Sequence, residues 1–569
     1  MAPCLETMPA DTLFSRFKLS LLLAGIFLAI YILPLGVRPL AVPDEARYAE
    51  IPREMIATGN WIAPHLNGVR YFEKPVLGYW LKAGSMLLLG ENNFAVRFPS
   101  ALAVGLSTLL VYLLVLQAGP RREDEANWSA TLAALAFLTF GAMVGIGTFA
   151  VLDSLFTFFL TAAITAFFFA TEAEPTSTRE KRFLVLSGVA CGLAFLTKGF
   201  LAFVVPVLAL VPYLCWQGRW RDIWRMGRLP LLAAVLTALP WSVAVHVREP
   251  DFWRFFIWNE HIHRFLFEEK QRTSFWQLLW GFPGLVMPWA VLGPAALLGL
   301  RDAVGFSESR KRLARLSLCW LALPFLFVSA SSDKLLTYLL PCLPPVAVLL
   351  ALGLDSLRTT GGKMSVRLGI AALASVAGLS VIALLFLHFF GYKGFFLYSA
   401  FWQTALAVSA LIIVLALLVR AFKCRDNTQR ILLFGLSPVA LFCALPLLTP
   451  DVILQVKMPG MLLERHKASI GPDTVLVADT GTLRAVCWYL KRDDVYMLGG
   501  PGELEYGMSF PENHHRMLNN EDILGLIGQN PGNTVFVTQM KKLPELRESL
   551  PEPVFQDNSG PRGFLLLRF

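Results

Sequence analysis

Residues 19–37 read LSLLLAGIFLAIYILPLGV, and residues 42–55, just beyond, read VPDEARYAEIPREM. The first stretch is apolar and about as long as the ~20 residues a helix needs to cross a hydrocarbon core. The second carries Asp44, Glu45, Arg47, Tyr48, Glu50, Arg53 and Glu54 in a turn-rich segment. The same contrast recurs along the whole chain. Of 569 residues, 55% are hydrophobic and only 16% charged, with 43 Phe, 15 Trp and a mean hydropathy of +0.56. Soluble domains carry about 25% charged residues. Only helices or closed barrels satisfy their backbones in lipid, and the apolar runs have helix length. The pattern predicts a polytopic α-helical membrane protein. The net charge of +9 is no nucleic-acid signal here, because its distribution among the loops is what carries information.

Thirteen spans are expected, near 18–38, 95–117, 128–147, 149–170, 183–198, 200–217, 229–247, 280–300, 313–330, 335–356, 367–390, 400–420 and 431–449. The first is read as a retained span, because no clean signal-peptide cleavage site follows it. Residues 75–92, PVLGYWLKAGSMLLLGEN, are short and contain Lys82 and several glycines, so they are read as an interfacial helix with Tyr79 and Trp80 at headgroup level. Loops 217–228, 301–315, 358–367 and 420–430 are strongly basic. The thirteen-span count puts all four on one side, which the positive-inside rule makes cytoplasmic. A fourteenth span at 75–92 breaks that agreement.

Domain 1–450 is therefore a membrane domain whose first outer loop covers 39–94. After residue 450 the composition changes. TVLVAD (474–479), DVYMLG (494–499), TVFVTQ (534–539) and FLLLRF (564–569) read as strands, with LRAVCWYLKR (483–492) and EDILGLIGQ (521–529) as helices. This alternation predicts a small α/β domain over 451–569, large enough for its own core and outside the cytoplasm. The eight cysteines lie mostly inside spans, there is no CxxC, and Cys487 stands alone in the C-terminal region.

Ionisable residues collect at the outer span ends. The first outer loop holds Asp44, Glu45, Arg47, Glu50, Arg53, Glu54, Glu73 and Lys74; later segments add Asp153, Lys198, Glu260, His261, His263, Arg264, Asp333, Lys334 and Tyr338. Ionisable groups at membrane depth are functional candidates by default. Plainer readings stand beside each. Acids in a first helical turn complement the helix dipole, which accounts for Glu45. Glu73–Lys74 reads equally as a solvated pair, Lys198 and Lys334 as snorkelling cations, and Tyr338 as an interface anchor. Two histidines without a fixed carboxylate are a weak metal signal, and an interfacial role for His261 and His263 is favoured. Asp44, Arg47 and Tyr48, at i, i+3 and i+4, share a face and need more than the dipole.

Arg and Lys beside lipid suit an anionic headgroup, Arg with bidentate phosphate contacts and Lys as a point charge. No P-loop or dinucleotide fingerprint follows a strand. An enzyme on the outer side needs an activated donor delivered by the membrane, and a lipid-phosphate-linked sugar fits: the lipid phosphate leaves while cations stabilise its growing charge.

The segment PDEARYAEIPREMIATGNWIAPHLNGVRYFEKPVLGYW closely resembles the first periplasmic loop of bacterial 4-amino-4-deoxy-L-arabinose transferases, glycosyltransferases of the GT-C class related to protein O-mannosyltransferases. LDSLFTFF, FLTKG and DKLLTYLLPCLPPVAVLLA resemble further family segments in the family's order. The resemblance implies a bacterial inner-membrane enzyme, active at the periplasmic face. It would move aminoarabinose from undecaprenyl phosphate to a phosphate of lipid A and so confer resistance to polymyxin and other cationic peptides. It implies Asp44 as catalytic acid and Asp153 as a second cavity acid. Arg47, Tyr48, Lys74 and Tyr338 would line the carrier phosphate and donor pocket, and Glu73, Lys198, Arg264 and Lys334 join them as substrate-binding candidates. No cofactor is required; a divalent metal stays open, with Glu73, His261 and His263 as its candidate ligands. A monomer among membrane lipids is expected, without nucleic acid. A phosphate acceptor is already nucleophilic near neutral pH, so Asp44 would orient it or support the positive charge at the sugar. A hydroxyl acceptor would need Asp44 as a base. Two alternatives remain: a related transferase acting on protein or another glycan, and a lipid flippase. Against the flippase stand the absence of repeat symmetry in the sequence, the odd span count and the folded outer domain.

Overall fold

The computed structural model describes residues 10–119, 123–263, 274–301, 306–331, 334–360, 363–391 and 396–569. Each of the thirteen expected spans coincides with helical structure: Ala10–Phe27 continuing as Leu28–Ile32, Asn93–Gln117, Glu123–Leu138 with Gly141–Gly147, Asp153–Thr171, Thr178–Lys198, Leu201–Trp216, Trp220–Arg248, Phe275–Leu285 with Trp289–Arg301, Glu308–Ala330, Leu336–Cys342 running into Leu343–Thr360, Lys363–Phe390, Phe401–Lys423, and Asn427–Leu436 with Val439–Ala444. Among the described residues, seven helices are long and apolar enough to cross a membrane by themselves, and two bent pairs bring the number to nine. Of the remainder, Thr178–Lys198 is a continuous 21-residue helix with charged residues at both ends, and the others are shorter or broken.

The two bent pairs, at 60° and 94°, explain each other. Gly141 N–H donates to Met287 C=O at 2.8 Å, and Trp289 Nε1 donates to Thr139 Oγ1 at 2.8 Å. Each break thus supplies partners for polar groups that the other exposes, the condition for non-helical backbone at membrane depth. The expected span 149–170 begins later: residues 149–152 are irregular, and Asp153 is the first helical residue rather than one inside a helix. An acid there meets the positive end of the helix dipole.

Two helices of the first outer loop lie outside the spans, α1 (Asp44–Thr58) and α2 (Leu77–Leu89). A two-residue hairpin, His65–Leu66 with Val69–Arg70, joins them. Its Asn67-Gly68 turn takes φ of 56° and 69°, the pairing that a tight hairpin turn demands. A side chain at Gly68 would press against Arg516 and the Asp493 carbonyl.

The C-terminal region forms a six-stranded sheet with helices on both faces. Its strands are β1 (Val475–Asp479), β2 (Tyr496–Leu498), β3 (Met517–Leu518), β4 (Thr534–Gln539), β5 (Phe555–Asn558) and β6 (Phe564–Arg568), in the order β3-β2-β1-β4-β6-β5. β1 to β4 are parallel, and β6 runs antiparallel to both β4 and β5. The strands β3 and β5 and the helix Leu543–Ser549 were not expected from sequence; the strands are too short or too exposed to show a pattern.

Contacts between this domain and the first outer loop fix the topology of α2. Before α2, Leu40 N–H donates to Tyr489 Oη at 2.9 Å, and Asn67 exchanges hydrogen bonds with Val495 at 2.8 and 3.0 Å. After α2, Glu91 pairs with Lys491 at 2.8 Å. Chain on both sides of α2 therefore touches one domain, so α2 does not cross. Tyr79 differs from expectation, being fully buried and stacked on Tyr48 with ring centroids 6.1 Å apart; Trp80 is half-buried, its Nε1 donating to the Trp61 carbonyl at 2.8 Å. At the far end of the spans, ion pairs Arg312–Glu172, Arg225–Glu180 and Arg310–Asp355 tie two of the basic loops, 217–228 and 301–315, to neighbouring span ends.

Candidate active site at the outer ends of the spans

α1 is anchored by Glu45, which is completely buried. Its carboxylate accepts from Arg97 at 2.7 and 2.9 Å, Arg38 at 2.7 Å, Ala41 N–H at 3.0 Å and Ala150 N–H at 2.9 Å. Burial pushes the carboxyl up, but Arg97 and Arg38 outweigh it and hold the group at about 2. Glu45 thus ties α1 to two span ends and is structural. Its neighbour Asp44 is nearly half-exposed and turns the other way, accepting from Arg47 Nη2 at 2.5 Å.

Arg47 is the centre of the cluster. Besides Asp44, Nη1 donates to Glu503 at 2.5 Å and to Tyr71 Oη at 3.3 Å, with Glu73 at 3.9 Å. Its guanidinium lies 4.8 Å from the centre of the Tyr48 ring. Tyr71 Oη in turn donates to Glu73 at 2.7 Å, and Lys74 Nζ pairs with Glu260 at 3.0 Å. Burial pushes the Glu73 carboxyl up, and repulsion from Glu260 and Glu503 adds to it. At the bottom of the cluster Lys198, the last residue of its helix, pairs with Asp153 at 2.8 Å and stands 5.4 Å from the centre of the Tyr338 ring. The two groups meet through the Glu260–His261 segment, since Glu260 pairs with Lys74 and the Phe200 N–H, two residues beyond Lys198, donates to His261 Nε2 at 3.4 Å. Burial raises the Tyr48 hydroxyl, Arg47 opposes it, and Asp44, Asp153 and Glu73 raise it further.

Asp44, Arg47, Tyr48, Glu73, Lys74, Asp153, Lys198 and Tyr338 are thus brought together. Lys334 instead donates to the Ser329 carbonyl at 2.7 Å, closing the end of the preceding helix. Arg264 lies outside the described residues. The residues offered for a metal do not form a donor set. His261 Nδ1 faces the Phe256 carbonyl at 2.8 Å, and Phe200 N–H donates to Nε2 at 3.4 Å, so the backbone engages both ring nitrogens. A side chain at Gly199, whose φ is +88°, would collide with that ring. His263 is exposed, and among the described residues no three His, Cys, Asp or Glu groups are placed to hold a metal ion.

Nothing in the sequence singled out Glu503, Arg484 or Tyr71 as site residues, whereas Glu260 stood among the charged candidates. Glu260 was visible as a charge at an outer span end. Glu503 carried no signal, since it lies in a three-residue 3-10 turn, Gly502–Leu504, of another domain.

The family model for dolichyl-phosphate-mannose-protein mannosyltransferases matches residues 17–256, and that for the C-terminal domain of the arabinosyl transferase ArnT matches residues 454–567. An undecaprenyl phosphate-α-4-amino-4-deoxy-L-arabinose arabinosyl transferase of Shewanella sediminis is 37% identical over 95% of this chain and 96% of its own. The chain belongs to that family. One from Aeromonas salmonicida is 39% identical over 87% of this chain and 89% of its own. The fold agrees with the crystal structure of ArnT from Cupriavidus metallidurans bound to undecaprenyl phosphate, at a TM-score of 0.79 and 22% identity over 97% of this chain and 98% of that one. This chain is accordingly a multi-pass membrane glycosyltransferase with the GT-C fold.

Proposed function

We propose that the protein transfers 4-amino-4-deoxy-L-arabinose from undecaprenyl phosphate to a phosphate of lipid A, at the periplasmic face of a bacterial inner membrane. The observation that carries this reading is the convergence of Arg47, Lys74 and Lys198 with Asp44 and Asp153 at one end of the spans, in a chain of this family. Cations at that depth suit a lipid-linked phosphate, and the half-exposed Asp44 suits a group that meets substrate.

The reaction breaks the bond between sugar C1 and the carrier phosphate oxygen and forms one between C1 and an acceptor phosphate oxygen. An acceptor monoester dianion and a donor diester monoanion give a product diester monoanion and undecaprenyl phosphate dianion, so no proton need move. Asp44 then has no obligatory role as base; it orients the acceptor or stabilises the positive charge developing at the sugar ring. Lys198, Lys74 and Arg47 stabilise the charge gathering on the leaving phosphate. Burial of the ions strengthens these interactions relative to water.

Mass spectrometry of lipid A from cells with and without the protein tests this reading. Added aminoarabinose on a lipid A phosphate, with polymyxin resistance, is expected only when the protein is present. Unmodified lipid A in both would defeat the assignment of the acceptor.

A further inference from the structure

The carboxylates around Arg47 exceed what its guanidinium can neutralise. Asp44, Glu73, Glu260 and Glu503 face Arg47, Lys74 and Arg484. Glu503 is the one that the C-terminal domain supplies. It lies beyond the carboxyl end of β2, the edge at which parallel sheets of this kind receive ligands, and this edge points at the transfer site.

Two arginines hold Glu503, and both use the same oxygen. Arg47 Nη1 donates to Oε2 at 2.5 Å and Arg484 Nη2 to Oε2 at 2.8 Å. Both arginines are more than nine-tenths buried, and Arg484 is itself fixed to the Thr480 carbonyl at 2.9 Å. Among the described residues nothing donates a hydrogen bond to Oε1, and the side chain remains 34% exposed. Burial pushes this carboxyl up, but Arg47 and Arg484 outweigh it and hold it at about 2. Glu73 accepts from Tyr71, Glu260 from Lys74 and Asp44, on α1, from Arg47, so Glu503 is the carboxylate that reaches the site from the facing domain.

From this geometry we infer that Glu503 Oε1 accepts a hydrogen bond from the 4-ammonium group of the donor sugar and selects an amino sugar over a neutral one. The inference rests on the reading above and deepens it. The donor is a zwitterion, a phosphodiester anion joined to an ammonium-bearing sugar. The site divides correspondingly, with Lys198 and Lys74 toward the lipid-linked phosphate and Glu503 on the opposite domain. Arg47 and Arg484 are positioning residues here, since they keep the carboxylate ionised and aimed. An incoming ammonium also relieves the repulsion among Glu73, Glu260 and Glu503.

The test compares two donors with purified full-length protein in detergent: undecaprenyl phosphate-linked aminoarabinose, and its arabinose analogue with hydroxyl in place of amine. The wild type is expected to prefer the amino donor. Glu503→Gln should lower kcat/KM for the amino donor about 10- to 100-fold, the range for losing one charge-assisted hydrogen bond. Turnover of the neutral donor, which also depends on Arg47, should fall less, so that the ratio of the two kcat/KM values drops. Equal losses on both donors would overturn the inference, leaving Glu503 only a holder of Arg47. A wild type without preference would overturn it too. A wild type inactive on both would overturn the functional reading and the inference with it. Thermal melting checks folding. Should Glu503→Gln not fold, Arg484→Lys carries the test: the ratio of kcat/KM for the amino donor to that for the neutral donor should fall several-fold, and an unchanged ratio would overturn the inference.

Discussion

Asp44 and Glu45 are adjacent carboxylates with opposite duties, and a pair of substitutions separates them. Glu45 is fully buried and held at about 2, against 4.5 for an unperturbed glutamate. That difference corresponds to about 3 kcal/mol of folding stability from this one group. The folded value is the lower one, so the contribution is complete above the unfolded value of 4.5 and is lost as pH falls toward 2. Breaking a buried pair by removing one partner gives an independent figure of about 3–5 kcal/mol. Glu45→Gln leaves Arg97, itself only 1% exposed at its side chain, and Arg38 without their anion. A loss of about 3 kcal/mol is a large share of the ~5–15 kcal/mol that holds a typical protein together. Differential scanning fluorimetry in detergent should therefore show Glu45→Gln melting several degrees below wild type. Asp44→Asn disturbs only a half-exposed pair, the class worth about 0–1 kcal/mol. It should melt like wild type yet lose about 100-fold or more of transfer activity. Wild-type melting of Glu45→Gln, or a destabilised Asp44→Asn with normal activity per folded molecule, would refute the division of roles.

Other variants probe the remaining parts. Asp153→Asn and Lys198→Met should each lower transfer about 100-fold; the double variant should be little worse than either, because the two act as a pair, and additive losses in a double-mutant cycle would argue otherwise. Lys74→Ala removes a cation from the carrier side and releases Glu260, so kcat/KM for the lipid-linked donor should fall while expression stays normal; unchanged kinetics would remove Lys74 from the site. Asn67→Ala strips the hydrogen bonds to Val495 that dock the C-terminal domain, a loss of about 1–3 kcal/mol. Faster cleavage by trypsin between the last span and β1 is the expected readout, and unchanged protection would contradict that docking role.

Hydropathy made the spans legible, because lipid leaves the backbone few alternatives. It could not show the breaks at 139–140 and 286–288, since apolar sequence runs through both and the compensating bonds, Gly141 to Met287 and Trp289 to Thr139, are tertiary. Charge at outer span ends pointed to Asp44, Arg47, Lys74, Asp153 and Lys198. The same criterion also raised Lys334 and His261, which the structure uses on backbone groups. Composition cannot tell a cation facing substrate from one capping a helix. Glu45 looked like first-turn dipole chemistry and proved to be a buried ion cluster, because Arg97 lies 52 residues away. Glu503 was invisible for the same reason, at 456 residues from Arg47.

The most direct measurement is transfer by the purified protein in detergent, from undecaprenyl phosphate-linked aminoarabinose to lipid A, followed by mass spectrometry with wild type and Asp44→Asn side by side. Aminoarabinose on a lipid A phosphate is expected with the wild type and almost none with the folded variant. Equal product from both would contradict the assignment of the site at Asp44.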